Sequence, residues 1–572
     1  FKQKTAYEIM PSLVGSEMCI RDRLDVERDK EVLERSGCFA LDVKESENLK
    51  YPFEYWCSVI WGYYNDMSYG VDYFQIPTVS GIIWRIKDGW VYCGTLPVEE
   101  SARAERAKEN ERRVAPWVED FGREYKKFIA EIERLAEPLK VTDFSGIEDY
   151  KLHSMFWDAI MSYKRAMEIH FIWMYGYLEV YARFIDACKK FLGLERGALE
   201  INKAMGGFPN KIMETDEKLF EFSKMAEEAG LKAEFFDRYG DDLECYNALK
   251  ESTKGRDWLK KFEEFLLEHG WRTERNWGQG EPSWIERPWI PFRYIRMFFG
   301  EEEFRPAEVR ARLSQERKKA EEDLISRVPE AERESFAKLL RSAQWAGIVE
   351  EEHVFYTENL GNSILRHVTK EMGLRMAKRG ILDDPSDIYY LLPEEITWRF
   401  WCGVSGKDLV RARKEIVKEW KKPTEEFVIG DISKLSEMVT RDPVMRWSVV
   451  PVPVVQEELR ADLYGTCSAP GVVEGEVCVI PSEKEFDRFV PGSILVAPIT
   501  TSSWTPLFNS AKAVITDGGG ALSHAMIVGR EYGIPVVSGT NEATKKLKTG
   551  MKVKVDGDVG AVWILEKTKE GD

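Results

Sequence analysis

The chain has 572 residues, of which 44% are hydrophobic and 32% charged, a composition typical of folded globular proteins with more than one domain. Its 82 Lys and Arg residues stand against 99 Asp and Glu residues, and the net charge of −17 argues against a nucleic-acid or membrane partner. The sequence has no run of about 20 uninterrupted apolar residues, no CxxC pair and no pair of histidines at metal-ligand spacing. We therefore expect a cytoplasmic protein without a disulfide framework or a bound metal.

Residues 1–23 form a segment that we do not expect to belong to the native protein. Residues 13–23, LVGSEMCIRDR, resemble a translated sequencing-library adapter. Residues 2–9, KQKTAYEI, resemble the primer that precedes such an adapter. This segment is therefore left out of the fold prediction.

The next part of the chain changes from a β pattern to a helical one. Residues 24–100 contain short β-rich runs at 73–76 and 81–86 and a Lys87-Asp88-Gly89 turn, which predict a small β-containing segment. Over residues 101–448 apolar residues recur at spacings of three and four, which predicts a large, mainly α-helical domain. Helical signals continue through residues 306–346 and 350–379.

A valine- and proline-rich connector at residues 449–460 separates this helical region from the C-terminal part. Residues 449–455, VVPVPVV, carry no charge, and this pattern favours an extended, semi-rigid linker. Residues 461–572 then alternate short β-rich runs with glycine turns and a few helical stretches. The predicted architecture is a large α-helical domain followed by a compact α/β domain.

The strongest chemical signal is the segment TDGGGALSHA near the C-terminal end. A predicted strand runs into Gly518, Gly519 and Gly520, and a helix is expected to begin near Ser523. His524 then lies in the first turn of that helix, where backbone N–H groups and the helix dipole suit a phosphoryl group. Neutral imidazole is a competent nucleophile near pH 7. We predict that His524 is a phosphohistidine, with the three glycines and Ser523 binding the phosphate.

Residues 465–564 resemble the mobile phosphohistidine domain of the phosphoenolpyruvate-utilising enzymes. The resemblance rests on five ordered motifs: SAPG at 468–471, PGSILV at 491–496, WTPL at 504–507, GG to His at 519–524, and REYGIP at 530–535. Pyruvate-acting members usually have Thr-Cys before the histidine. This chain has Leu522-Ser523 there, like rifampicin phosphotransferases and phenylphosphate synthases. The resemblance implies a swivelling domain that carries a phosphoryl group on His524 from a nucleotide site to an acceptor site.

Phenylphosphate synthase is the favoured assignment within this resemblance. Weaker resemblances to the branch that contains both rifampicin phosphotransferases and phenylphosphate synthases lie in the helical region, such as GGFPNK at 206–211 and HGWRT at 269–273. The sequence has no P-loop motif and no stretch that reads as an ATP-grasp domain. The resemblance therefore implies that ATP and Mg²⁺ are bound by a separate ATP-grasp subunit. It also implies that a small aromatic alcohol, phenol, is converted to phenylphosphate, with AMP and phosphate as co-products.

Phosphoryl transfer to a phenol makes two demands on the helical region. The hydroxyl must lose its proton, and Glu352 and His353 are candidate bases beside an aromatic patch. The charge on the transferring phosphoryl group needs fixed cations, and Arg272, Lys211 and Arg366 are the candidates. The alternatives are a solvated glutamate beside a core histidine, and ordinary surface ion pairs for the three cations.

Two other functions remain open from the sequence. A rifampicin-type enzyme would have a larger acceptor, a hydroxyl group of a polyketide drug. A non-catalytic phosphocarrier or regulatory protein would carry the phosphoryl group on His524 and use the helical region only for docking a partner.

Overall fold

The computed structural model describes residues 27–42, 49–195, 198–273, 278–300, 305–420, 426–444, 460–501, 504–519 and 523–566. The adapter-like segment 1–23, the predicted connector apart from Arg460, and Gly520 lie outside these residues.

Most of the helices precede the C-terminal domain. In chain order they are α1 (Lys30–Ser36), α2 (Pro52–Tyr55), α3 (Tyr63–Phe74), α4 (Glu100–Ala136), α5 (Asp149–Leu192), α6 (Leu199–Ala204), α7 (Lys211–Glu228), α8 (Asp242–Glu251), α9 (Thr253–His269), α10 (Phe292–Phe298), α11 (Arg305–Arg327), α12 (Arg333–His353), α13 (Leu360–Lys378), α14 (Pro393–Cys402), α15 (Lys407–Lys418), α16 (Leu435–Thr440), α17 (Thr505–Ser510), α18 (His524–Tyr532) and α19 (Ala543–Lys546). Three π-helical turns, Trp56–Trp61, Lys232–Phe236 and Val354–Asn359, extend or join these helices.

An antiparallel sheet lies at the N-terminal end of the fold, with strand order β2-β3-β1-β4. Its strands are β1 (Cys38–Leu41), β2 (Val79–Lys87), β3 (Trp90–Pro97) and β4 (Val428–Gly430). The predicted hairpin turn is present, with positive φ at Asp88 and Gly89 as a two-residue type I′ turn requires. Strand β4 lies within residues 101–448, which were predicted to form the helical domain.

One of the local predictions is wrong. Residues 73–76 do not form a strand, because Phe74 ends α3 and is buried on the same helical face as Met67 and Val71. The helical signal at 306–346 corresponds to two helices, α11 and α12. Pro329, which has no N–H to donate, lies between them and begins a short 3₁₀ turn.

Helix α5 forms the centre of the helical region. Its residues from Ile169 to Tyr177 are buried on every side of the helix, including Trp173. A helix that is apolar all round needs neighbours on all faces, and α5 packs against α3, α4, α12 and α13. In the part of the chain that the structure describes, no helix is both long and apolar enough to cross a membrane.

The C-terminal domain is a mixed eight-stranded sheet with order β5-β12-β11-β7-β8-β9-β10-β6. Its strands are β5 (Leu463–Tyr464), β6 (Thr466–Ala469), β7 (Val472–Val479), β8 (Ile494–Ala497), β9 (Ala513–Thr516), β10 (Val536–Ser538), β11 (Lys552–Asp556) and β12 (Ala561–Glu566). Strands β7 to β10 are parallel to one another. The predicted fold class, a large helical region followed by a compact α/β domain, is confirmed.

The C-terminal domain packs directly on the helical region. One apolar cluster includes Phe222 and Phe292 of the helical region and Phe508 and Tyr532 of the C-terminal domain. Helix α17 contacts α7 and α10, and α18 contacts α11. We call this the docked arrangement; it places the helix that begins at His524 against the helical region.

Candidate active site

The position of His524 follows from the local sequence. Strand β9 ends at Thr516, a glycine loop follows, and α18 begins at His524 with Ser523 as its N-cap residue. Gly519 has a φ of 112°, and a Cβ atom there would lie 2.4 Å from the hydroxyl of Ser538. Only glycine at position 519 therefore allows the backbone of this loop to approach the end of β10 so closely.

Two threonine hydroxyls hold the imidazole ring of His524. Thr500 Oγ1 lies 3.0 Å from Nδ1, and Thr505 Oγ1 lies 3.2 Å from Nε2. The edge of Phe508 packs against the ring, with 5.9 Å between ring centroids. Burial lowers the pKa of His524 to about 3, so the ring is neutral at pH 7. A neutral imidazole has one donor and one acceptor nitrogen, so one threonine accepts the ring N–H and the other donates to the lone pair of the second nitrogen, which gives up that bond when it attacks phosphorus.

The predicted phosphate-binding residues surround the start of α18. The carbonyl of Gly518 accepts hydrogen bonds from Thr516 Oγ1 at 2.8 Å and from Ser538 Oγ at 3.1 Å, which fixes the loop. The hydroxyl of Ser523 lies 3.2 Å from that of Ser538 and makes no side-chain cap bond to the helix. The helix dipole and first-turn N–H groups of α18 favour a negative group at this end.

The other end of α18 is bonded to the helical region. Tyr532 donates a hydrogen bond from its hydroxyl to Asp216 Oδ2 at 3.1 Å. Glu531 accepts the backbone N–H of Gly207 at 3.0 Å. All three side-chain groups are buried. These bonds join the end of the histidine-bearing helix to α7 and to the loop before it.

Arg272 lies next to this junction. Its guanidinium is over the rings of Trp284 and Phe355, 5.1 and 5.8 Å from the two centroids. Burial lowers its pKa, and the nearby carboxylate of Asp216 acts in the opposite direction. Arg272 is 5% exposed, and its Nη2 has no hydrogen-bond partner among the described residues. A buried cation with unused donors is thus close to the docked α18.

Lys211 also lies near the ring of Phe355, and Glu352 is bonded to Lys211. The amine of Lys211 is 6.0 Å from the ring of Phe355 and forms an ion pair with Glu268 at 2.6 Å. Glu352 accepts a hydrogen bond from the hydroxyl of Tyr125 at 2.6 Å and another from the backbone N–H of Lys211. Burial raises the pKa of Glu352. Two of the predicted cations, Arg272 and Lys211, therefore lie near one aromatic ring, and Glu352 is linked to it through Lys211.

The structure does not bring His353 into this group. Its ring faces His170 on α5, with centroids 4.8 Å apart, and its Nδ1 lies 3.0 Å from the carbonyl of Val349. Ligand atoms of His170, His353 and Glu358 lie within 4.8 Å of one another, which is a spacing that a cation accepts. Glu214, Glu268 and His269 form a second group with ligand atoms at the same spacing.

Arg366 lies on α13, away from the group formed by Arg272, Lys211 and Glu352. It forms an ion pair with Glu286, with Nε 2.6 Å from a carboxylate oxygen, and Lys370 pairs with the same glutamate. Its Nη1 donates to the carbonyl of Gln279 at 2.8 Å. In the structure this cation therefore holds residues 279–286 against α13.

Sequence reasoning did not find four residues of the site: Thr500, Thr505, Asp216 and Tyr532. Thr505 and Tyr532 lie inside motifs that carried the resemblance, so those motifs were a usable signal. Asp216 is one of many acidic residues on α7, and no local pattern distinguishes it.

Comparisons with known proteins agree with this organisation. Residues 489–560 match the family model of the PEP-utilising enzyme, mobile domain, and residues 170–350 match the rifampicin phosphotransferase fourth domain. The chain is 30% identical over 374 residues to the uncharacterized phosphotransferase YvkC of Bacillus subtilis, covering 63% of this chain and 43% of that protein. It is 27% identical over 340 residues to a rifampicin phosphotransferase of Streptomyces sviceus, covering 57% and 36%.

The C-terminal domain also matches proteins of another activity. It is 50% identical over 107 residues to the phosphoenolpyruvate synthase of Pyrococcus furiosus, which is 19% of this chain and 13% of that one. The chain spans less than half the length of each of these relatives. The matched range 489–560 contains His524 and the two threonines that hold it. The chain is thus similar to the mobile domain of the PEP-utilising enzymes over residues 489–560 and to a rifampicin phosphotransferase domain over residues 170–350.

Proposed function

We propose that this chain acts in a phosphotransferase, in which His524 receives a phosphoryl group and passes it to a hydroxyl group bound by the helical region. The observation that carries the proposal is the neutral His524, held by two threonine hydroxyls at the start of α18. The opposite end of α18, about 12 Å along the helix, is bonded through Tyr532 to Asp216, so His524 reaches the helical region's cations only after the C-terminal domain moves. The matched mobile domain supports the same role for the histidine.

The transfer follows from the groups present. A ring nitrogen of neutral His524 attacks phosphorus, and the bond from phosphorus to the donor oxygen breaks. In the second step the acceptor oxygen attacks the same phosphorus, the phosphorus–nitrogen bond breaks, and the ring nitrogen regains its lone pair. The acceptor proton passes to Glu352, whose raised pKa suits a base. Arg272 and Lys211 offset the negative charge of the phosphoryl group.

The proposal extends to the acceptor and the donor. The acceptor is a phenol, because Arg272 and Lys211 lie near the ring of Phe355, and aromatic side chains suit a flat ring. The donor is ATP with Mg²⁺ on a separate ATP-grasp subunit, with AMP and phosphate as co-products. The C-terminal domain then moves between the two proteins, on a scale of microseconds to milliseconds.

A rifampicin-type acceptor is the second candidate. The match of residues 170–350 to the fourth domain of rifampicin phosphotransferase favours it, since that range contains Lys211 and Arg272. A panel of acceptors that includes both phenol and rifampicin separates the two candidates.

The test is isotope exchange between labelled phenol and unlabelled phenylphosphate in the presence of Mg²⁺. Exchange needs only the acceptor half-reaction, so no ATP-binding partner is required. We expect exchange with the native chain and at least a 10³-fold loss with His524→Asn. His153→Asn, which changes a histidine held by Thr397, is the matched control and keeps the native rate. Failure of phenol, substituted phenols and rifampicin to exchange contradicts the proposal.

A further inference from the structure

A cavity of about 480 Å³ lies where helix α4 is interrupted. Asp120 has φ −158° and ψ 88°, outside the helical range, and its carboxylate accepts the backbone N–H of Arg123 at 2.9 Å, so the helix restarts after Asp120. We call this space the kink cavity; it is lined by Asp120, Gly122, Arg123, Lys126 and Lys127 of α4 and by Trp345 of α12. The four charged side chains are exposed, so a ligand reaches the cavity from solvent.

The indole ring of Trp345 forms one wall of the kink cavity. A Cβ atom at position 122 would lie 2.6 Å from Cε2 of Trp345, so glycine there lets the ring lie directly against the backbone of α4. The amine of Lys126 lies 5.3 Å from the centroid of the ring. Trp345 is half-buried, and its remaining surface contributes to the cavity. An aromatic ring fixed in this way offers a flat ligand a surface for stacking.

The charges that line the kink cavity are mainly positive, although the whole chain has a net charge of −17. Arg123, Lys126 and Lys127 share the lining with a single carboxylate, that of Asp120. Glu124, outside the lining, pairs with Arg123 at 3.1 Å and with Lys127 at 2.8 Å. Lys126 makes no ion pair in the part of the chain that the structure describes. The cavity therefore combines an uncompensated cation, two further cations and an aromatic ring.

We infer that the kink cavity binds a phosphate monoester that carries a flat ring, such as an aryl phosphate or a nucleoside monophosphate. A phosphate monoester has a charge near −2 at pH 7, which suits a site with three neighbouring cations. Its ring stacks on Trp345. The volume of the cavity is within the range of about 300–1,000 Å³ that is usual for organic ligands, and a bare phosphate ion does not fill it. The inference goes beyond the proposed function and does not depend on it.

The kink cavity also adjoins the residue that we propose as the base. Tyr125 follows Gly122 by one turn, and its ring centroid lies 6.1 Å from that of Trp345. The hydroxyl of the same tyrosine donates to Glu352 at 2.6 Å. Tyr125 therefore contacts both the wall of the cavity and the proposed base.

Calorimetric titration of the full chain tests the inference, with phenylphosphate, AMP, inorganic phosphate and phenol as probes. We expect phenylphosphate or AMP to bind at least ten times more tightly than inorganic phosphate and phenol. The tighter of the two identifies the ring as an aryl group or a nucleobase. Lys126→Gln and Arg123→Gln each weaken this binding about tenfold, because each removes a charged hydrogen-bond donor. Trp345→Leu removes the preference for the monoester over inorganic phosphate.

Lys108→Gln is the matched control, because Lys108 is an exposed lysine of the same helix outside the cavity, and it leaves the affinity unchanged. Circular dichroism checks that the variants fold, which we expect for Lys126→Gln and Arg123→Gln because both side chains are exposed. Binding of both monoesters no tighter than that of inorganic phosphate overturns the inference. Tight binding that both substitutions leave unchanged also overturns it, because the ligand then lies elsewhere.

The outcomes for the two proposals are distinguishable. Binding of a monoester in the kink cavity together with no exchange for any acceptor contradicts the proposed function alone. Exchange that depends on His524, together with no preference for a ring-bearing monoester, contradicts only the inference about the kink cavity.

Discussion

The hydroxyl of Tyr532 lies 3.1 Å from Oδ2 of Asp216, and this bond joins the histidine-bearing helix to the helical region. The two residues are separated by 316 positions in the chain. Burial raises the pKa of Asp216 to about 7, while the charge of Arg272 acts in the opposite direction. The docked arrangement thus contains a carboxyl group that gains a proton near neutral pH.

Docking of the C-terminal domain is expected to depend on pH through Asp216. In the docked form the carboxyl keeps its proton up to about pH 7; exposed to water after release, it loses the proton near its ordinary pKa of 3.8. Between pH 3.8 and about pH 7 the docked form therefore binds more protons than the released form. Docking is strongest below about pH 4, weakens as the pH rises to about 7, and is then constant.

Energy transfer between dyes on the two domains measures this docked fraction. Asp216→Asn removes one titrating group and is expected to reduce the pH dependence between pH 4 and 7; burial also raises the pKa of Glu531 at the same junction, so part of the dependence remains. Glu217→Gln, on the same helix, is the control and keeps the profile. An unchanged profile in Asp216→Asn contradicts the assignment.

Local signals in the sequence were enough to predict that His524 begins a helix after a strand and a glycine loop. Strand β9, the glycine loop and the start of α18 are consecutive, so each is encoded in a short stretch of residues. The contacts of that helix were not predictable in this way, because Tyr532 and Asp216 meet only in the folded chain. The same holds for β4, three residues from Val428 to Gly430 that complete a sheet formed near the other end of the chain.

The candidate bases show a second limit of sequence reasoning. Glu352 and His353 are adjacent at the end of α12, so they point to different sides of the helix. The sequence does not say which side faces a site. In the structure Glu352 meets Tyr125 and Lys211, whereas His353 meets His170 in the core. The surrounding helices decide this, and their packing is not visible in a local pattern.

The two threonines at His524 are expected to set the reactive form of the ring. Thr500 and Thr505 contact different ring nitrogens, so loss of either hydroxyl frees the ring to change tautomer. One such hydrogen bond contributes about 1 kcal/mol, so Thr500→Val and Thr505→Val each lower the exchange rate by about a factor of five to ten. Nitrogen-15 NMR of His524 reports the tautomer directly. Native tautomer populations in both variants contradict this role.

Proton removal by Glu352 predicts an effect that depends on the acceptor. Glu352→Gln removes the base and is expected to slow exchange with phenol by about 10² to 10⁴. The loss is smaller with nitrophenols, because a more acidic hydroxyl needs less help to lose its proton. Glu334→Gln, an exposed glutamate on the same helix, is the control. An equal loss with phenol and nitrophenol shows that Glu352 has a structural role only.

Because Gly519 is closely packed, its replacement is expected to lower both the stability of the C-terminal domain and the rate of phosphoryl transfer. Its φ of 112° is strained for any other residue, and a Cβ would lie 2.4 Å from the Ser538 hydroxyl and 2.8 Å from that of Ser523. Gly519→Ala is expected to destabilise the C-terminal domain by about 1–3 kcal/mol or more and to displace the start of α18. Gly492→Ala is the matched control, because Gly492 also has a positive φ, 82°, but a Cβ added there would meet no atom within 4 Å among the described residues. Urea unfolding and the exchange rate are measured for both variants. The comparison separates the effect of backbone strain from the effect of the clash with Ser538. If the two variants lose stability and activity equally, the close approach to Ser538 plays no part in holding His524.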